Sequence, residues 1–201
     1  MSNIPHVTGV ILAGGSSSRF GKNKALASFD SVPLIQHVAQ PLGKLFSERL
    51  LITNTPESYE FLGWPMVGDT YLGCGPLGGI HAALQTINTQ KAFIVGCDMP
   101  LLNTVLISYL CNQSGDWDVA LPWLEAGPEP LYSVYSKHCL PAIEECLQEK
   151  QFKIGLLLQK LQLHKINQNE ILDLIGDLST FHNINYSDDL LCLTKKANNN
   201  G

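Results

Sequence analysis

Residues 7–13 read VTGVILA, apolar and rich in β-branched side chains, and they empty directly into Gly14, Gly15 and three serines. A strand covered by helices on both faces reads this way, because neither face can carry a polar row. That start constrains the rest of the chain. Short apolar runs at 50–53, 65–67, 92–96, 119–122 and 131–135 predict further strands. Between them, longer stretches at 33–46, 78–87, 102–111, 138–149, 154–163 and 187–196 carry apolar residues at helical spacing and predict helices. Such alternation is the pattern of a parallel α/β architecture. At 201 residues the chain suits one domain. The expected fold is a single three-layer α/β/α sandwich with a mostly parallel sheet, spanning 1–197 with a disordered tail at 198–201.

Charge narrows the partners. Thirteen Lys and Arg against eighteen Asp and Glu give −5, which argues against a general polyanion binder and so against nucleic acid. The acid is unevenly placed: residues 1–100 hold six of each sign, whereas 101–201 hold seven cations and twelve acids. Only two arginines occur, Arg19 and Arg49. The six cysteines form no CxxC pair and are expected as buried reduced thiols. The N-terminus lacks a basic region and a long apolar run, so no signal peptide or membrane span is expected, and a reducing cytoplasm is the default location.

The loop at 14–24 holds the densest chemistry. A strand ending in glycines exposes backbone N–H groups without Cβ obstruction, which suits phosphate oxygens. Arg19, Lys22 and Lys24 then add three cations within six residues. A Walker A loop needs four residues between its first glycine and Gly-Lys-Ser/Thr; here Gly15 and Gly21 are separated by five, and Asn23 stands where the magnesium-binding hydroxyl belongs. Asp98 closes the strand at 92–96 and would project from the carboxyl edge of the sheet, where ligands of open α/β sheets bind. A carboxylate there can hold Mg²⁺ against phosphate oxygens, or it can cap the next helix, a role for which Asn103 and Thr104 compete. Residues 73–78 also fit GxGxxG, with Asp98 twenty residues on, the fingerprint of a dinucleotide-dependent oxidoreductase. The context fails, because residues 63–69 do not form a long apolar strand leading into the glycines.

The stretch LAGGSSSRFGKNKA resembles the signature of the Rossmann-like nucleotidyltransferases, LAGG-x-x-x-RMG-x-DK. Within them it is most similar to the bacterial molybdenum cofactor guanylyltransferases. Phe20 replaces the usual Met and Asn23 the usual Asp. Cys97-Asp98-Met99-Pro100, Asp69 followed by Gly75-Pro76-Leu77-Gly78-Gly79, residues 129–135 and Phe181-His182-Asn183-Ile184-Asn185 extend the likeness from about residue 7 to 191. The resemblance implies the nucleotide-diphospho-sugar transferase type of sheet and transfer of GMP from GTP to molybdenum-bearing molybdopterin. It implies that Leu12, Ala13, Gly14 and Gly15 hold GTP through the backbone, with Lys24, Asn54, Asp69 and Asp98 also at the nucleotide. Arg19, Lys24 and Asp98 would be catalytic, Asp98 would bind Mg²⁺, and Gly78, Asn183 and Asn185 would face the pterin. Partners implied are the two substrates, with transient contact with other cofactor-biosynthesis proteins or recipient molybdoenzymes. The related cytidylyltransferases tend to read LAAG, so Gly14-Gly15 favours the purine, with cytidylyl transfer as the near alternative.

Overall fold

The computed structural model describes residues 4–14 and 23–184. Strand β1 (Val7–Leu12) is buried along its whole length, as its apolar run requires. It is followed by a hairpin of two short strands, β2 (Ser28–Phe29) and β3 (Val32–Pro33), and by α1 (Leu34–Leu45). Next come β4 (Arg49–Ile52), β5 (Met66–Val67), α2 (Pro76–Thr86), β6 (Lys91–Gly96) and α3 (Thr104–Cys111). The second half supplies β7 (Val119–Leu124), β8 (Gly127–Pro128), β9 (Tyr132–Ser136), α4 (Leu140–Gln148), α5 (Ile154–Leu158), β10 (Leu163–Asn167) and α6 (Gln168–Ile175). The main sheet runs β10-β7-β9-β6-β1-β4-β5, with β8 against β7. Strands β4, β1 and β6 are parallel neighbours, as are β4 with β5 and β7 with β10, while β9 runs antiparallel to both β6 and β7.

Successive strand residues point to opposite faces, and the sequence alternates accordingly. Ile11, Leu51, Phe93 and Val95 pack with α1, α3 and α6. Val10, Leu12, Leu50, Ile52 and Ile94 pack with α2, α4 and α5 on the other face. This is the expected three-layer sandwich. Gly9 interrupts β1 for a packing reason: a Cβ there would lie 2.6 Å from the Phe46 ring, which is stacked on Phe93. No helix among the described residues is long and apolar enough to cross a membrane. Cys74, Cys97, Cys111, Cys139 and Cys146 are unpaired, and burial pushes the Cys97 and Cys139 thiols up to about 12.

Two expectations are corrected. The helix over 154–163 stops at Leu158, and Leu163 opens an edge strand instead. Asp118 accounts for this: its N–H donates to the Gln162 carbonyl and its carboxylate accepts from the Gln162 N–H, each at 2.9 Å, which draws the chain alongside β7. Helix α6 was not anticipated. Asn167 caps it by accepting from Glu170 N–H, and Gly176 ends it in the left-handed conformation. The helix expected over 187–196 lies outside the described residues, as does the tail at 198–201.

Candidate active site

The carboxyl ends of β4, β1 and β6 bring together segments distant in sequence. The Ala13 N–H donates to the Ile52 carbonyl at 2.8 Å and the Cys97 N–H to the Leu12 carbonyl at 3.1 Å, so Leu12-Ala13-Gly14, Thr53-Asn54 and Cys97-Asp98 share one edge. Beyond Gly96 the chain turns sharply, and the Asp98 carboxylate folds back over it: a Cβ on Gly96 would lie 2.6 Å from Asp98 Oδ1. Asn103 caps α3, accepting from the Val105 and Leu106 N–H groups. Asp98 is therefore released from capping, and its Oδ2 accepts from Lys24 Nζ at 2.9 Å. The side chains remain 28% and 16% exposed, so the pair opens to the edge.

The turn that carries Lys24 is held by Asn23 and by Tyr59, which the sequence did not single out. Asn23 Oδ1 accepts from the Ala25 N–H and caps the 3-10 turn Lys24–Leu26. The same side chain meets Tyr59 twice, Nδ2 donating to the hydroxyl at 2.9 Å and Oδ1 accepting from it at 3.1 Å. Tyr59 is fully buried, and that burial holds its phenol pKa above the ordinary value. The departure from the family's usual Asp at 23 thus keeps a cap and a partner for Tyr59. Tyr59→Phe removes one buried hydrogen-bonding group and is expected to cost about 1 kcal/mol of stability in a denaturant titration; an unchanged midpoint would show that the Asn23 contact contributes nothing.

Asp69 and Asn54 form a second pair. The Asp69 N–H donates to Asn54 Oδ1 at 2.8 Å, and Asn54 Nδ2 donates to Asp69 Oδ2 at 3.4 Å. Gly68 makes this possible, since a Cβ there would lie 2.9 Å from Asn54 Oδ1. Asp69 Oδ1 is buried and has no hydrogen-bond partner among the described residues. Burial raises the Asp69 pKa, partly offset by the Asn54 bond. Glycines flank this carboxylate on two sides: a Cβ on Gly14 would lie 3.5 Å from Oδ2, and one on Gly79 would lie 3.6 Å from Oδ1. A buried carboxylate oxygen left over beneath two glycines is an acceptor waiting for a donor.

Asn183 is placed at the same edge and is exposed, because the Ile184 N–H donates to the Asp98 carbonyl at 2.9 Å. A buried ring of hydrogen bonds fixes this segment: the Asn103 N–H donates to Thr180, Thr180 to Tyr132, and Tyr132 to the Asn103 carbonyl. Gly78 is buried in the first turns of α2, where a Cβ would lie 2.8 Å from the Tyr71 carbonyl. Its lack of a side chain lets the loop that follows Asp69 pack on α2. Gly15, Arg19 and Asn185 lie outside the described residues. The structure therefore gathers Leu12, Ala13, Gly14, Lys24, Asn54, Asp69, Asp98 and Asn183 at one edge, and the pairings add Tyr59, Asn23, Gly68, Gly96 and Asn103.

Residues 9–164 match the family described as the MobA-like NTP transferase domain. The chain is 36% identical over 192 residues to a probable molybdenum cofactor guanylyltransferase of Pelotomaculum thermopropionicum, covering 96% of this chain and 94% of that one. It is 37% identical over 188 residues to the molybdenum cofactor guanylyltransferase of Desulfosudis oleivorans, covering 92% of each. Among solved structures, molybdopterin-guanine dinucleotide biosynthesis protein A of Archaeoglobus fulgidus superposes with a TM-score of 0.83 at 22% identity, over 96% of this chain and 99% of that one. The 2-C-methyl-D-erythritol 4-phosphate cytidylyltransferase of Thermus thermophilus gives 0.68 at 12% identity, over 94% and 98%, a likeness of fold.

Proposed function

The chain belongs to the MobA-like NTP transferase family, and on that premise we propose that it transfers GMP from GTP to the terminal phosphate of molybdenum-bearing molybdopterin, releasing pyrophosphate. The observation that carries this reading is the Lys24–Asp98 pair at the carboxyl edge beside the acceptor oxygen of Asp69. A phosphate arriving there meets an ammonium and a metal-competent carboxylate at one point, and a base arriving beside it meets an unsatisfied acceptor.

In the proposed reaction a phosphate oxygen of the pterin substrate attacks the α-phosphorus of GTP in line. A new P–O bond forms, the bond from the α-phosphorus to the bridging oxygen breaks, and pyrophosphate leaves. Such transfers need positioning and charge stabilisation more than covalent help from the protein. Leu12, Ala13, Gly14 and Gly15 present backbone to the nucleotide. Lys24 and Arg19 meet the negative charge that grows on the leaving pyrophosphate, Arg19 through its planar fork. Asn54 orients Asp69 toward the base. The N-terminal half thus serves GTP, and Asn183 and Asn185 of the C-terminal segment, with Gly78 of α2, serve the pterin.

Nucleotidyl transfer calls for a divalent metal, and Asp98 fits one. It is partly exposed and does not cap α3. Among the described residues no group of three or more His, Cys, Asp and Glu gathers to hold a metal. A carboxylate oxygen at this edge suits Mg²⁺, which binds through one or two carboxylates and completes its shell with water and substrate phosphates. When bound there it would neutralise charge on the transferring phosphoryl group. Contacts with other cofactor-biosynthesis proteins or recipient molybdoenzymes, and a cytoplasmic location, complete the proposal.

The deciding assay is pyrophosphate release from GTP, CTP and ATP, each with Mg²⁺ and molybdenum-loaded molybdopterin. GTP is expected to turn over fastest, by at least tenfold. Faster turnover of CTP would reassign the enzyme to cytidylyl transfer, and no release from any of them would overturn the reading.

A further inference from the structure

Helix α1 buries Ile35, Val38 and Leu42 against the sheet and leaves its outer face to a groove of about 600 Å³. The lining also takes in Phe61 and Trp64, from the segment that leads to β5, and Val32 of the hairpin. Phe61 is 49% exposed and Val32 37%, large apolar side chains left open along the groove. Gln36, Gln40 and Lys44 follow each other at four-residue spacing along the α1 side, which sets a polar row in a lining that also holds the apolar Phe61. Arg49, the arginine outside the phosphate loop, also lines the groove. Its guanidinium sits over Trp64, 5.7 Å from the ring centroid, and a Cβ on Gly43 would come within 3.5 Å of Nη1. A guanidinium held over a ring by cation–π attraction still has N–H donors to offer a carboxylate. The lining holds Lys44 and Arg49 and no Asp or Glu.

We propose that this groove is a docking site for an acidic segment of a partner protein, with an aromatic or aliphatic side chain seated against Phe61 and its carboxylates on Arg49 and Lys44. Charge complementarity selects that occupant. The chain carries −5 overall, so its general field disfavours acidic partners and only a local cationic patch of this kind attracts one. The apolar side chains of the lining then supply the buried anchor that charge alone lacks. The polar row on α1 offers side-chain partners to an extended backbone laid along it. The groove follows the outer face of α1 and contains none of the residues assigned to guanylyl transfer, so the proposal stands or falls independently of that reaction.

Selection of a displayed library of random dodecapeptides against the full chain tests it. The recovered sequences are expected to carry two or more Asp or Glu around Phe, Trp or Leu. A fluorescein-labelled recovered peptide should bind the chain by anisotropy, more weakly as salt rises. Affinity should fall tenfold or more with Lys44→Glu combined with Arg49→Glu, severalfold with the milder Arg49→Gln, and severalfold with Phe61→Ala. Pyrophosphate release from GTP should be unchanged in all of these variants. Recovered sequences without acidic bias, equal binding by the charge-reversed chain, or displacement of the peptide by GTP would each overturn the proposal. Failure of the library to yield any peptide that binds the chain would overturn it as well.

Discussion

Asp98→Asn is expected to lower kcat/KM for GTP by about three orders of magnitude, the scale on which a preorganised charge at a reacting phosphate acts. The amide is nearly the same size as the carboxylate, so the turn over Gly96 is retained. Its oxygen still accepts from Lys24, so the 3-10 turn below should not move. What disappears is the negative charge. With it goes the proposed metal ligand and half of the ion pair that sets Lys24 at the edge. The fold does not depend on the charge, because α3 is capped by Asn103 and the segment around Thr180 is held by Tyr132 and Asn103. Circular dichroism and the melting temperature should match those of the unchanged chain. Lys24→Met should cost nearly as much in turnover, and the double variant little more than either, since groups that act as a unit are not additive. Near-normal turnover by Asp98→Asn would remove Asp98 from the chemistry.

Much of this candidate site is legible in the sequence itself. A strand apolar on both faces, ending in glycines, announces a ligand edge, and the apolar run at 92–96 that leads to Asp98 places a carboxylate on it. The alternation of Val10 and Leu12 against Ile11 encodes the two helical layers directly. Tyr59 was not readable. It sits between two short 3-10 turns in a stretch with no periodicity, and its partner Asn23 is 36 residues away. Pairings of that separation leave no mark on local pattern. Residues 161–175 failed for a different reason. Leu157 to Leu163 supports helix and strand alike over so short a run, and the backbone bonds to Asp118 settle it. The signal for α6 was present: Asn167 with Glu170 at its start and Gly176 at its end. The leftover oxygen of Asp69 could be found only in three dimensions, because it depends on what Gly14 and Gly79 omit.

That oxygen carries the second large prediction. Asp69→Asn is expected to reduce the preference for GTP over CTP by about 100-fold, the scale of leaving one buried polar group mismatched. Guanine presents two neighbouring donors, N1–H and the N2 amino group, which a carboxylate can accept side by side. Cytosine presents one amino donor beside the bare N3 acceptor, so its N3 would face a carboxylate oxygen with no proton between them. The Asn54 bond engages Oδ2 only weakly at 3.4 Å, and Oδ1 has no partner among the described residues, so the Asp69 carboxylate presents acceptors and no donor. An amide at 69 offers one acceptor and one donor, the pattern cytosine matches and guanine does not. The raised pKa of Asp69 adds a second readout. Burial favours its neutral form, and only the carboxylate accepts from both guanine donors. GTP binding should therefore weaken as pH falls through a value above the ordinary aspartate range, and that acidic limb should vanish in Asp69→Asn. For stability the sign is opposite: a carboxyl whose folded pKa is raised contributes most below its unfolded pKa and loses that contribution as pH rises through the folded value. Asp69→Asn should thus be as stable as the unchanged chain near neutral pH or slightly more so, which separates a change in base preference from damage to the fold. An unchanged ratio of GTP to CTP turnover, with the acidic limb intact, would take Asp69 out of base recognition.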